Sequence, residues 1–209
     1  ESKRFLSSAE VVLAAGAVGS VQVLQRSGIG PASVLERAGV PVMNPLAGVG
    51  ENLQDHLQLR MIYRVSGVPT LNEQANSVFG RVRMGLQYLF TRSGPMSMSP
   101  SQLGAFARSD ARHARANVEY HVQPLSLDRF GEPLHAFPAF TASVCNLRPS
   151  SRGSVGIVSS DPDAAPRIAP NYLSTDEDRQ VAIESIRLTR RIVGTPALAA
   201  YAPAEFLPG

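Results

Sequence analysis

The 209-residue chain has one cysteine, Cys145, and no tryptophan. A single thiol cannot close an internal disulfide or build a cysteine-rich metal site. That fits a reducing compartment, so a cytoplasmic location is the expectation. Charged residues make up only 18% of the chain, which implies that part of its surface is covered by something else. Its 20 basic and 17 acidic residues leave a net charge of +3. They are scattered, and no stretch concentrates charge as a nucleic-acid groove does. No apolar run approaches the roughly 20 residues of a membrane span. There is no Gly-x-Ser-x-Gly of a hydrolase and no phosphate loop. The four histidines, His56, His113, His121 and His135, lack metal-ligand spacing, so no metal site is expected. The first residues, Glu1-Ser-Lys-Arg, include no Met and lead into no secretory segment. The expectation is a piece of a longer protein.

What is present is an apolar fraction of 44%, enough for one large domain or two small ones. Glu10 to Ala15 is a short apolar run ending at Gly16, the pattern of a strand buried on both faces. A helix is expected over Ser20–Arg26, ended by Gly28 and Gly30. A second is expected over Pro31–Ala38, with Pro in its first turn. Strand, glycine turn and helix in that order are the local grammar of a nucleotide-binding α/β fold. Beyond His56 the character changes. Leu57–Val65 and Leu103–Arg108 read as strands. Asn76–Ser93 reads as one amphipathic helix with Val78, Phe79, Val82, Leu86, Leu89 and Phe90 on a stripe, closed by Gly94. Val118–Gln123 alternates, with Val118, Tyr120 and Val122 on one face and Glu119, His121 and Gln123 on the other. Ala139–Leu147 and Ser154–Ser159 are expected to form a hairpin around the turn Arg148–Gly153. A Pro-rich extended stretch covers Asp161–Pro170. A strong helix starts near Thr175, where Ser174 and Glu177 read as a capping box. Its acids lie at the start and Arg187, Arg190 and Arg191 toward the end. Thr195-Pro196 opens a short final helix. The fold class is α+β: a partial α/β segment, then a mostly antiparallel sheet with helices.

Two stretches carry a family resemblance. Gly16-Ala-Val-Gly-Ser-Val-Gln-Val-Leu-Gln-Arg-Ser-Gly-Ile-Gly30 and Gly48-Val-Gly-Glu-Asn-Leu-Gln-Asp-His56 resemble the flavin-domain signature of the glucose–methanol–choline (GMC) oxidoreductases. Val21 stands where that family usually has Pro. Leu35–Val42 resembles the family's linker, and Gly104–Arg108, Tyr120–Pro124, Arg148–Gly153 and Asn171–Asp178 are similar to its choline dehydrogenase-like branch. The resemblance implies FAD as cofactor and a primary alcohol as substrate, with hydride passing to flavin N5. It leaves the electron acceptor open. It implies part of an FAD-binding domain over 1–56, a substrate-binding domain over 57–173 and the C-terminal helices of that domain over 174–209. It points to Ala15, Gly16, Asn52, Gln54 and Asp55 at the cofactor, and to Gln102, His121 and Gln123 at the substrate pocket. The family's Gly-x-Gly-x-x-Gly for the ADP half does not occur in the sequence, and its C-terminal catalytic His has no counterpart here. No catalytic residue is therefore assigned. The alternative is a non-catalytic recognition or structural module that needs a partner for flavin and base. Without its sheet neighbours, Val11–Ala15 is expected to expose an edge and an apolar patch.

Beside what the resemblance implies, several of these positions keep a plainer meaning. Asn52, Gln54 and Asp55 either approach a flavin or cap a helix. The face of Glu119, His121 and Gln123 either borders a substrate pocket or is the outer face of an antiparallel sheet. Gln102 offers neither ring nor carboxylate, which disfavours a quaternary ammonium substrate such as choline. Cys145 reads as a small buried strand residue.

Overall fold

A computed structural model describes residue 3 and residues 5–209. In chain order the elements are α1 (Gly16–Arg26), β1 (Ile29–Gly30), α2 (Ala32–Arg37), β2 (Asn44–Pro45), β3 (Leu59–Arg64), α3 (Leu71–Asn76) and α4 (Val78–Thr91). There follow β4 (Leu103–Ala107), β5 (Val118–Gln123), β6 (Ala139–Asn146), β7 (Ser154–Gly156), β8 (Arg167–Ala169), α5 (Asp176–Val193), α6 (Pro196–Ala199) and β9 (Ala204–Leu207). They sort into two compact units, Glu1–Asp55 with Ser151–Ser174, and His56–Ser150 with Thr175–Gly209. Residues 151–173, grouped by sequence with the middle of the chain, fold with the first unit, as does Ser174.

In the first unit, α1 starts at Gly16, four residues before the expected Ser20. Its buried anchor is a polar side chain. Gln25 has no exposure. Its Nε2 donates to the Val49 carbonyl at 3.1 Å, and its Oε1 accepts from the Ile157 amide at 2.9 Å. One side chain thus holds the 48–50 loop and the end of β7 to α1. Gly50 lies at φ +90, where a Cβ would sit 2.1 Å from the Val155 carbonyl oxygen, so only glycine fits that approach. The apolar core is small: Leu35, Ala38, Val40 and Ile157, with Val34 packed against it. The strand expected over Glu10–Ala15 does not form. A strand needs a ladder partner, and this run has none among the described residues, so Val11 and Val12 stand exposed. The expected hairpin of β6 with the strand after it is also absent. Both edges of β6 are taken, by β5 and β3, so β7 pairs antiparallel with β8 instead. The Pro-rich sequence around β8 concealed that short strand.

The second unit is a five-stranded antiparallel sheet in the order β4-β5-β6-β3-β9. Helix α5 covers one face. Val181 packs with Val118, Tyr120 and Val144, and the Tyr120 and Thr189 hydroxyls share a hydrogen bond of 3.0 Å. Farther along, Val193 packs with Met61 and Tyr63. The α5 N-cap is Thr175, whose Oγ1 accepts from the Asp178 amide, not Ser174 with Glu177. The helix begins at Asp176, so the three-residue capping offset falls on Asp178. The single helix expected over Asn76–Ser93 is two helices. Ser77 is extended, ending α3 and capping α4 through its hydroxyl. Helix α4 ends on Arg92 in the left-handed region, two residues before Gly94. Strand β9, unexpected from sequence, pairs with β3.

Candidate functional site

The sequence candidates fall on different physical elements in the two units. In the first unit they lie at the start of α1 and on the 48–55 loop, whose Gly50 packs beside Val21 and Gln25 in the second half of that helix. Ala15 is the N-cap of α1 and contributes no side-chain cap, and no acidic residue lies in the first turn. The leading amides of α1 are therefore free to meet an acceptor. Gly16 has φ +75, with open space where a Cβ would be. Asn52 also has positive φ, at 61°, and Asn52, Gln54 and Asp55 are all exposed. None of these three caps a helix. Asp55 accepts a short hydrogen bond from the Tyr172 hydroxyl. That bond is the first cause, ahead of burial, of the Tyr172 pKa being pushed up to about 12. The two family-like motifs at 48–56 and 171–178 thus meet at Asp55 and Tyr172.

In the second unit the candidate surface is the sheet face opposite α5. Residues directly opposite on antiparallel strands share a face, so the register assembles cross-strand rows. Gln123 of β5 faces Thr141 of β6. In the next row Gly104, His121, Ser143 and Arg60 run across β4, β5, β6 and β3. In the third, Phe106 and Cys145 flank Glu119. Gln102, just ahead of β4, donates its amide to the Val122 carbonyl and stays exposed. The three sequence candidates therefore reach one end of one sheet surface. They are not equivalent. His121 is half-buried, its Nε2 3.5 Å from Glu119 Oε1. Gln123 is buried at 5% exposure, its Nε2 donating to Ser101 Oγ. Its Oε1 has no partner among the described residues.

Sequence reasoning missed Arg60, Thr141 and Ser143 on this face, because only strand register reveals them. Arg60 lies over the Phe130 ring at 4.8 Å, and burial lowers its pKa despite the opposing pull of Asp128. Cys145 is buried, as its strand position implied. Burial, then the Glu119 carboxylate, push its thiol up. His56 places Nε2 3.2 Å from the Leu147 carbonyl oxygen. His113 and His135 pair with Asp110 and Asp128.

The family models described as GMC oxidoreductase match residues 1–58 and 149–208, together more than half of the chain. The chain belongs to the GMC oxidoreductase family. The oxygen-dependent choline dehydrogenase of Klebsiella pneumoniae is 37% identical over 200 residues, covering 96% of this chain and 36% of that protein. The one from Serratia proteamaculans is 39% identical over the same shares. This GMC chain thus spans little more than a third of the length of the curated relatives it matches. Among solved structures, pyridoxine 4-oxidase from Mesorbium loti is 28% identical with a TM-score of 0.73, over 93% of this chain and 34% of that one. An FAD-dependent oxidoreductase from Chaetomium thermophilum, at 23% identity, shares the fold with a TM-score of 0.81 over 98% of this chain and 41% of that one. No helix among the described residues of the GMC chain is long and apolar enough to cross a membrane.

Proposed function

We propose that this chain is part of an FAD-dependent oxidoreductase that acts on the CH–OH group of a primary alcohol. The observation that carries the reading is the start of α1. An uncapped helix N-terminus with an open, positive-φ glycine lies within the residues matched by the family's N-terminal model. Such an end offers backbone donors and a positive dipole to an anionic or carbonyl-bearing group. The residues present fit a flavin cofactor on that ground. Ala15 and Gly16 would hold it through backbone amides, with Asn52 and Gln54 adding side-chain amides and Asp55 braced by Tyr172. When bound, FAD supplies the hydride-accepting centre.

The chain's own residues do the remaining work of binding and orientation. His121 and Gln102 present polar groups to an alcohol at the sheet face. Gln123 is packed in the sheet, so it positions that face. No residue of this chain is assigned as the base. For the isolated chain a second reading has support, since the sequence contains no Gly-x-Gly-x-x-Gly. Alone it would act as a recognition module without turnover.

The test expresses the full coding sequence and this chain side by side. The complete product is expected to carry releasable flavin and to reduce an artificial acceptor with a primary alcohol. A complete product without flavin would overturn the proposal. Turnover by the isolated chain would remove the recognition-module reading.

A further inference from the structure

We propose that His56, Glu119 and Cys145 form a binding site for a zinc-class divalent metal ion. One donor atom from each lies within 4.8 Å of the others. The cluster is assembled by tertiary structure. Glu119 and Cys145 face each other across β5 and β6, and His56 arrives from the segment before β3. This is why spacing along the chain gave no sign of it.

The donor set selects the ion. Thiolate, imidazole and carboxylate together suit zinc, whereas magnesium and calcium take oxygen ligands. Zinc bonds run about 2.3 Å to sulfur and about 2.0–2.2 Å to nitrogen and oxygen. The donors close to those distances on binding, and His56 is the most exposed of the three. The burial gradient supplies the entry path: Cys145 is at the floor, Glu119 is half-buried and His56 is at the surface.

The surroundings already have the form of an outer shell. If His56 Nε2–H donates to the Leu147 carbonyl, Nδ1 keeps its lone pair for a metal. A backbone carbonyl on the far ring nitrogen is the usual partner of a metal-bound histidine. His121, 3.5 Å from Glu119, serves as the positioning residue for that carboxylate. Gln58 hydrogen-bonds the Cys145 thiol. Binding would expel the thiol proton to solvent and form the metal–sulfur bond, with water in the fourth position. No oxidation or reduction is involved.

The test uses the full 209-residue chain without flavin, so its outcome is independent of the function proposed above. Cobalt is titrated in first, then displaced with zinc. One ion per chain is expected, with visible ligand-field bands and a near-ultraviolet sulfur-to-cobalt charge-transfer band. Cys145→Ser should abolish the charge-transfer band. Glu119→Gln and His56→Ala should each weaken zinc by about tenfold or more, and His121→Ala by less. His113→Ala and His135→Ala should leave binding unchanged. Circular dichroism establishes that each variant is folded, and the exposed His56 keeps the test open if Cys145→Ser fails to fold. Absence of saturable binding at millimolar metal, or a cobalt complex without the sulfur band, would overturn the site. So would zinc affinity unaffected by both His56→Ala and Glu119→Gln.

Discussion

Helices α4 and α5 carry the same kind of sequence signal and meet opposite fates. By composition, α4 is the more apolar helix. Its stripe holds two Phe, two Leu and two Val, yet none of its residues is buried, and Phe79 and Phe90 are 77% and 78% exposed. Helix α5 is far more polar. It nevertheless buries Val181, Ser185, Thr189 and Val193 against the sheet. Its buried hydroxyls are satisfied: Ser185 donates to the Val181 carbonyl, and Thr189 donates to the Ser185 carbonyl. Amphipathic periodicity identifies a face that needs a partner. It does not identify which helix has that partner within this chain.

The sharpest way to break the comparison is to place the same charge on both stripes. Val181→Asp puts an unpaired carboxylate into the core and should cost about 4 kcal/mol or more, unfolding the second unit at low urea. Leu86→Asp on α4 should shift stability by no more than about 0.5 kcal/mol, while light scattering shows reduced self-association. Equal losses at the two sites would mean that α4 is also packed.

Helix α1 offers an intermediate case, because its buried anchor is polar. Gln25→Leu keeps most of the volume but orphans the Val49 carbonyl and the Ile157 amide. A loss of about 2 kcal/mol is expected by chemical denaturation, with faster exchange of the Ile157 amide. If stability is unchanged, volume rather than hydrogen bonding holds that unit. A smaller effect belongs to the α5 cap. Thr175→Ala should cost about 1 kcal/mol, and Ser174→Ala should cost less.

The smallest effect is electrostatic. Arg190 holds Glu205 through two hydrogen bonds, the first cause of a lowered carboxyl pKa. A depressed carboxylate stabilises the fold above its ordinary pKa, and that stabilisation fades as pH falls through the lowered value. Glu205→Gln should therefore flatten the acid limb of a melting-temperature profile slightly. A steeper limb in the variant would reverse the assignment.

Much of the secondary structure was legible in the sequence. Val118–Gln123 is a strand over the residues its alternation marked, because apolar and polar side chains separate cleanly there. The long charged helix from 176 also stands out, its acids first and its arginines last. Two errors share one cause, the absence of pairing information in a single strand's pattern: β7 pairs with β8, and β9 joins β3. The Val11 run was expected to lack sheet neighbours; it has none among the described residues and forms no strand. The candidate sites divide in the same way. Gly16 and Asn52 belong to contiguous motifs and could be named from sequence. Ser143, Arg60 and the His56–Glu119–Cys145 cluster exist only because register sets strands side by side.

By itself, then, the sequence determined the family, the motif positions and most helices and strands, since these depend on residues near one another in the chain. Tertiary structure alone decided which amphipathic face is covered and how 151–174 fold. It also decided which polar side chains stand together on the sheet, because cross-strand neighbours are set by hydrogen-bond register between distant segments.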